Sequence, residues 1–241
     1  MSQLVEFPDK KPQHVSYSRL ALLASCGYKF GYKYLLGLPD YAGPAAELGG
    51  KIHEALDKGY KSGERNSRRI ADLAHALVSE KSMHQSALHK GIDEIVPKLS
   101  LDKIWRDGMK AETTVMGERN GVKIKCIMDL VIETDDAIII YDYKTNQKFN
   151  HKDHEFQGSL YAAVWKQVFK TEKPIAFVIH MLRTDKLYLI HTWKEEVLWN
   201  YFDHIMDMSK PELLRPNQKD CYKWGQPCSF SHKCPFYKGY K

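Results

Sequence analysis

The stretch AIIIYDYK, residues 137–144, constrains the fold of this chain most. Three consecutive isoleucines followed by aromatic residues mark a buried strand. Asp142 and Lys144 stand two apart at its end, so both side chains leave the same face. An acid and a lysine on an apolar strand need a reason to be there.

The surrounding chain supplies the layers. Residues 111–133 alternate as β structure, and Asn120-Gly121 is a hairpin turn signal. Asp135-Asp136 forms the turn into 137–144. A helix is expected over 151–170, a second hairpin over 174–182 and 186–193, and a helix over 194–210. Upstream, 16–38 reads as one helix with a Ser cap signal at Ser16 or Ser18. Residues 45–60 place Leu48, Ile52, Ala55 and Leu56 on one helix face, and 65–106 hold two or three further helices, broken at Gly91 and Pro97. Residues 1–15 read as an extended arm. This order of elements predicts a mixed α/β fold.

The chain has 241 residues, enough for one large domain or one with an accessory subdomain. Its net charge of +6 suits a nucleic acid or acidic partner, and equally an ordinary soluble protein. No apolar run approaches the ~20 residues of a membrane span, and the N-terminus lacks the apolar core of a signal peptide. The expectation is a cytoplasmic protein without membrane contact, whose five cysteines do not form a disulfide framework.

Asp129 lies among Ile127, Met128 and Val131, an apolar setting in which a carboxylate is costly unless paired or bound to a metal. Antiparallel pairing across the Asp135-Asp136 turn brings Asp129 towards Asp142. Two converging carboxylates repel, and a divalent cation relieves that repulsion. Lys144 beside them can hold a water or neutralise charge on a phosphate. The plain alternative is a structural Asp–Lys ion pair at a strand end.

The ordered set Asp129, Asp142-Tyr143-Lys144 and Gln157-Gly-Ser-Leu-Tyr161 resembles the PD-(D/E)XK nuclease superfamily, and within it the RecB-like exonucleases, with their acid, their (D/E)-x-K strand and their Q-x-x-x-Y helix. Gly49 and His53 resemble the family's G-x-x-x-H segment. The resemblance implies that His53, Asp129 and Asp142, with the backbone carbonyl of Tyr143, hold Mg²⁺ or Mn²⁺. It also implies that Lys144 assists the attacking water, and that Gln157 and Tyr161 support the site and touch the DNA backbone. Glu112 resembles the acid that opens the family's β-meander; a solvated strand-end Glu is the alternative. The implied fold is a restriction-endonuclease-like core, a mixed central sheet flanked by helices, spanning 1–241 as one domain. It has a helical portion at 16–106, a nuclease core at 107–210 and a tail at 211–241.

Cys221, Cys228 and Cys234 crowd that tail, and Cys26 lies far upstream. This split set resembles the cluster-bearing RecB-like nucleases, such as AddB nuclease domains and CRISPR-associated exonucleases, and implies a [4Fe–4S] cluster that ties the chain ends together. The first tail interval departs from the family, six residues where two are usual. A structural Zn²⁺ on the tail cysteines with His232 or Cys26, or free thiols, are the alternatives. Cys126 alternates with Ile124 and Met128 and reads as core.

The implied activity is metal-dependent exonucleolytic hydrolysis of DNA, on single-stranded ends, in recombination, repair, phage replication or CRISPR adaptation, with proteins of those systems as partners. A phage-encoded protein acting in host cytoplasm fits the same reading. The alternative is a DNA-end binding or adaptor subunit. No phosphate-loop motif marks a fused helicase, and Ser159 lacks a nucleophile elbow. Arg65, Arg68 and Arg69 with Lys58 and Lys61 form either a DNA path or a solvated face. Tyr28, Phe30, Tyr32 and Tyr34 are expected to pack a helical subdomain, and His151 and His154 to be solvated.

Overall fold

A computed structural model describes residues 5–9, 13–41, 43–106, 108–223 and 226–237. Parts of the expected N-terminal arm and of the 211–241 tail lie outside the described residues. The helices are α1 (Tyr17–Ser25), α2 (Gly27–Phe30), α3 (Pro44–Lys61), α4 (Ser67–Ala76), α5 (Gln85–Ile95), α6 (Leu101–Ile104), α7 (Lys152–Phe169) and α8 (Glu195–Asp207). The strands are β1 (Lys110–Arg119), β2 (Val122–Glu133), β3 (Ile138–Lys144), β4 (Ile175–Met181) and β5 (Lys186–Ile190), with β6 (Tyr222–Lys223) and β7 (Gln226–Pro227) in the tail.

The strand order β1-β2-β3-β4-β5 makes one mixed sheet flanked by helices. β2 and β3 are antiparallel, with Leu130 opposite Tyr141. β3 and β4 are parallel, which requires the long crossover that α7 provides. β4 and β5 are antiparallel. Asn120 and Gly121 both adopt positive φ at the β1–β2 turn, the conformation that a two-residue hairpin loop demands.

Two compact units divide the chain: Met1–Tyr41, Met116–Lys125 and Lys194–Lys241 form one, Ala42–Val115 and Cys126–Trp193 the other. In the second unit, Leu48, Ile52 and Leu56 of α3 join Ile70, Leu88 and Ile92 of the following helices and Leu130, Ile132, Tyr141 and Tyr143 of the sheet in a single core. α7 buries Leu160, Val164 and Trp165, and the Tyr161 ring meets the Phe177 ring of β4 edge to face.

In the first unit, α1 is capped by Ser16, whose hydroxyl accepts the Arg19 N–H. The single helix expected over 16–38 is broken at Cys26, which adopts extended backbone between α1 and α2; a π-helical turn, Gly31–Leu35, follows α2. Packing of the tail decides this break. The Gly27 N–H donates to the Arg215 carbonyl at 2.9 Å, and a side chain at Gly27 would lie 2.7 Å from the Arg215 nitrogen. Tyr28, Phe30 and Tyr32 are buried, and Tyr32 stacks on Phe230 at 5.3 Å. Cys126, in the other unit, is fully buried, and burial pushes its thiol up to about 12. No helix among the described residues is long and apolar enough to cross a membrane.

Candidate active site and cysteine pocket

The ends of β2 and β3 and the first turns of α7 assemble one polar site in the second unit. Asp129 receives two donors: the Tyr143 backbone N–H reaches Oδ2 at 2.6 Å, and His53 Nδ1, from α3, lies 3.1 Å from Oδ1. Asp142 has a side chain only 7% exposed. Gln157 Nε2 donates to its Oδ1 at 2.6 Å, and the Lys144 ammonium stands 2.5 Å from Oδ2 as an ion pair. Oδ2 nonetheless accepts no directed hydrogen bond among the described residues. Lys144 also donates to Gln157 Oε1 at 3.4 Å. The Gln157 amide thus spans acid and ammonium and fixes their spacing. Tyr161, one turn on, is buried and hydrogen-bonds Gln157.

The electrostatics follow from this crowding. Burial pushes the Asp142 carboxyl up, Lys144 pulls it down, and Asp129 pushes it up again; the net direction is upward. Burial works against the His53 imidazolium, but Asp129 and Asp142 outweigh it and its pKa rises. Burial drives the Tyr161 phenol well above its usual range, with Asp142 adding to the effect. The Tyr143 hydroxyl accepts from Trp105 Nε1 at 3.2 Å, so this side chain is anchored in the core.

Beside His53 and Asp129 opens a cavity of about 620 Å³, also lined by Asp57, Tyr60, Glu112 and Tyr143. Glu112 adopts φ of 44° and hydrogen-bonds Asp57; burial first, then Asp57, raise its pKa against the pull of Lys61. Asp57 was not anticipated from the sequence. The signal was present, since it stands four residues after His53 on one helix face.

Three members of the basic cluster expected near this helix are paired with carboxylates. Lys58 pairs with Glu54 at 2.8 Å, Lys61 with Asp57 at 2.7 Å and Arg69 with Glu64 at 3.2 Å. His154, expected to be solvated, is buried, and burial followed by the Lys144 charge lowers its pKa to about 4. It sits at the start of α7 with the buried face that carries Gln157. His151 is partly exposed, with Nδ1 3.2 Å from Glu155.

In the first unit Cys26, Cys221, Cys228 and Cys234 line one pocket. The Asn217 N–H points to Cys26 Sγ at 3.4 Å, and its side-chain amide donates to the Ser25 carbonyl. The Cys228 N–H donates to the Cys221 carbonyl at 2.8 Å. The unusually long interval between these two cysteines is taken up by the β6–β7 pair, Tyr222 opposite Pro227. Burial raises the Cys221 thiol, and Cys234, Cys26 and Cys228 raise it further; Cys234 is raised chiefly by burial.

Metal binding can be weighed on these observations. Among the described residues, no group of three or more His, Cys, Asp or Glu side chains is arranged to hold a metal ion as it stands. The donor types nonetheless fit. Asp129 and Asp142 bring two carboxylates into one polar site beside His53, and two carboxylates with an imidazole suit a divalent cation. Four cysteine sulfurs around one pocket suit iron or zinc. The pocket they line with residues such as Tyr32, Asn217 and Phe230 holds about 20 Å³, roughly the room of a water, so the fit there is one of donor type and not of preformed room.

The chain matches the PD-(D/E)XK nuclease superfamily over residues 14–235. It belongs to that superfamily. The crystal structure of a "Putative exonuclease" from Eubacterium rectale is similar, with a TM-score of 0.56 and 16% identity over 95% of this chain and 91% of that one. At that identity the likeness shows the fold alone. The crystal structure of SSO0001 gives a TM-score of 0.46 and 17% identity over 95% of this chain and 88% of that one, too distant to carry weight. No curated protein matches the chain.

Proposed function

We propose that this PD-(D/E)XK nuclease is a RecB-like, Mg²⁺- or Mn²⁺-dependent exonuclease acting on single-stranded DNA ends, with 1–241 working as one nuclease domain. The observation that carries the reading is the coupling of Asp142, Lys144 and Gln157: a buried carboxylate and an ammonium held at fixed spacing by one amide. A merely structural ion pair at a strand end needs no such third member.

His53, Asp129 and Asp142, with the Tyr143 carbonyl, would hold the cation, which supplies Lewis acidity to the scissile phosphate and to water. The chain's own residues do the rest. Asp129, through the Tyr143 N–H, fixes the end of β3 and with it the direction of Lys144. Lys144 orients the attacking water and meets the charge growing on the phosphate oxygens. Gln157 and Tyr161 are positioning residues; the Tyr161 phenol stays protonated because of its burial. Glu112 and Asp57 line the cavity next to the site, where burial and the neighbouring Asp57 raise the Glu112 carboxyl.

Cys26, Cys221, Cys228 and Cys234 would hold a [4Fe–4S] cluster as a staple. Support comes from their convergence on one pocket and from the hairpin that closes the long Cys221–Cys228 interval. Zn²⁺ is the rival occupant. On this reading the protein would serve recombination, repair, phage replication or CRISPR adaptation in the cytoplasm, with DNA and the proteins of those systems as partners.

The test is cleavage of end-labelled single-stranded and duplex DNA with Mg²⁺ or Mn²⁺, run beside Lys144→Ala. Cleavage by wild type alone supports the reading, and the label reports polarity. Equal cleavage by both proteins refutes the site. Binding of DNA ends without cleavage by protein of verified metal content would favour the adaptor reading. Anaerobic purification with metal analysis decides the cysteine pocket: iron with sulfide supports the cluster, and zinc without iron refutes it.

A further inference from the structure

The loop that leaves Lys144 carries an aromatic feature that the cleavage chemistry leaves unused. Phe149, partly exposed, stacks on the partly exposed Tyr188 of β5, with ring centroids 3.9 Å apart and planes 16° from parallel. The buried His154 ring lies 5.7 Å from Phe149, also at 16°. Other stacked pairs in the chain are wider and less parallel: Tyr32 and Phe230 stand 5.3 Å apart at 27°, Phe156 and Trp193 5.7 Å apart at 25°. Here the planes run nearly parallel, as bases do in a strand. His154 stands three residues before Gln157 on the buried face of α7, and Gln157 bonds Lys144, so the inner end of the group lies on the helix face that carries the partner of the candidate catalytic lysine. Lys148 and Lys152, both exposed, flank Phe149 in sequence. The Asn146 side chain donates to the Lys148 carbonyl at 2.6 Å and folds the loop.

We infer that Tyr188, backed by Phe149 and His154, forms a stacking platform for an unpaired nucleobase of the DNA strand entering the site, with Lys148 and Lys152 meeting its phosphates. The inference rests on the nuclease reading above and names how that site takes a single strand. Flat aromatic rings accept any base, because every base has a π-face, and lysines alongside supply the sequence-independent attraction to phosphate. A stacked end is thereby led to Lys144 with its bases separated, which a duplex end cannot offer without unpairing.

Binding of an oligothymidylate in chelator measures this directly. Wild type should bind it about tenfold more tightly than the same strand with abasic spacers. Phe149→Ala and Tyr188→Ala should each remove that preference, and Phe149→Trp should keep it. A fluorescent adenine analogue in the strand should be quenched by wild type and by Phe149→Trp, and not by Phe149→Ala. The comparison of intact and abasic strands on wild type needs no variant and stands even if one fails to fold. Equal affinity for both strands, or undiminished quenching by folded Phe149→Ala, overturns the platform while wild-type cleavage leaves the nuclease reading intact. Failure of wild type both to bind and to cleave DNA overturns the two together.

Discussion

The acid–lysine site and the cysteine pocket are assembled in opposite ways. The first is nearly local: Asp129, Asp142, Lys144, Gln157 and Tyr161 fall within one strand–turn–strand–helix passage, and His53 alone comes from a distant helix. The second joins residues close to opposite ends of the chain, Cys26 with Cys221, Cys228 and Cys234, and depends on a close backbone approach at Gly27. A site of the first kind forms once its sheet has formed. A site of the second kind exists only while the chain ends remain docked, so its loss is a folding failure before it is a chemical one.

The largest test of that contrast is Lys144→Ala. Single-turnover cleavage should fall by roughly 10²–10³-fold, the cost of removing one charge-stabilising donor, with thermal stability and DNA affinity close to wild type. A large fall in melting temperature instead would make Lys144 a structural partner of Asp142. Gly27→Ala should behave in the reverse manner. The added methyl meets the Arg215 backbone, and overpacking of this kind costs about 1–3 kcal/mol. The variant should lose metal and stability first, and any folded fraction should cleave at the wild-type rate. Full metal content with unchanged melting would show that the docking at Gly27 is not what gathers the thiols.

Gln157→Ala sharpens the comparison inside the local site. Without the amide, Asp142 loses its hydrogen bond and Lys144 loses its second partner. Cleavage should drop about tenfold in kcat with KM little changed, in keeping with the ~1–3 kcal/mol cost of an unsatisfied buried group, and Gln157→Glu should not restore it. A change confined to KM would argue that Gln157 contacts the substrate instead.

The smallest effect is expected from His154. Its pKa falls from 6.5 in the unfolded chain to about 4 in the fold because of burial. Below pH 6.5 the unfolded state takes up a proton that the folded state refuses. The stabilisation held above pH 6.5 therefore declines as pH falls towards about 4. Urea unfolding across this range should show a shallower decline for His154→Gln than for wild type; identical slopes would remove His154 from the account.

Much of the acid–lysine site was legible in sequence because its geometry is short-range. Period-two alternation puts Asp142 and Lys144 on one face, and a helical turn puts Gln157 beside Tyr161. The cysteines were legible only through resemblance, since spacing says nothing about contact across most of a chain. What escaped had physical causes. The break at Cys26 is imposed by tail packing and not by local propensity. The basic cluster was left between a DNA path and a solvated face because its carboxylate partners Glu54, Asp57 and Glu64 were not weighed with it. His154 looked solvated because a polar residue in the first turn of a helix usually is, and here the stack with Phe149 covers it.

The β6–β7 pair has a consequence for how this tail can vary. The Cys228 N–H is tied directly to the Cys221 carbonyl, and the strand pair closes between them. The spacing of the Cys221 and Cys228 backbones is therefore set by the base of the hairpin. A longer connection between Lys223 and Gln226 should thus leave the Cys221 and Cys228 backbones where they are.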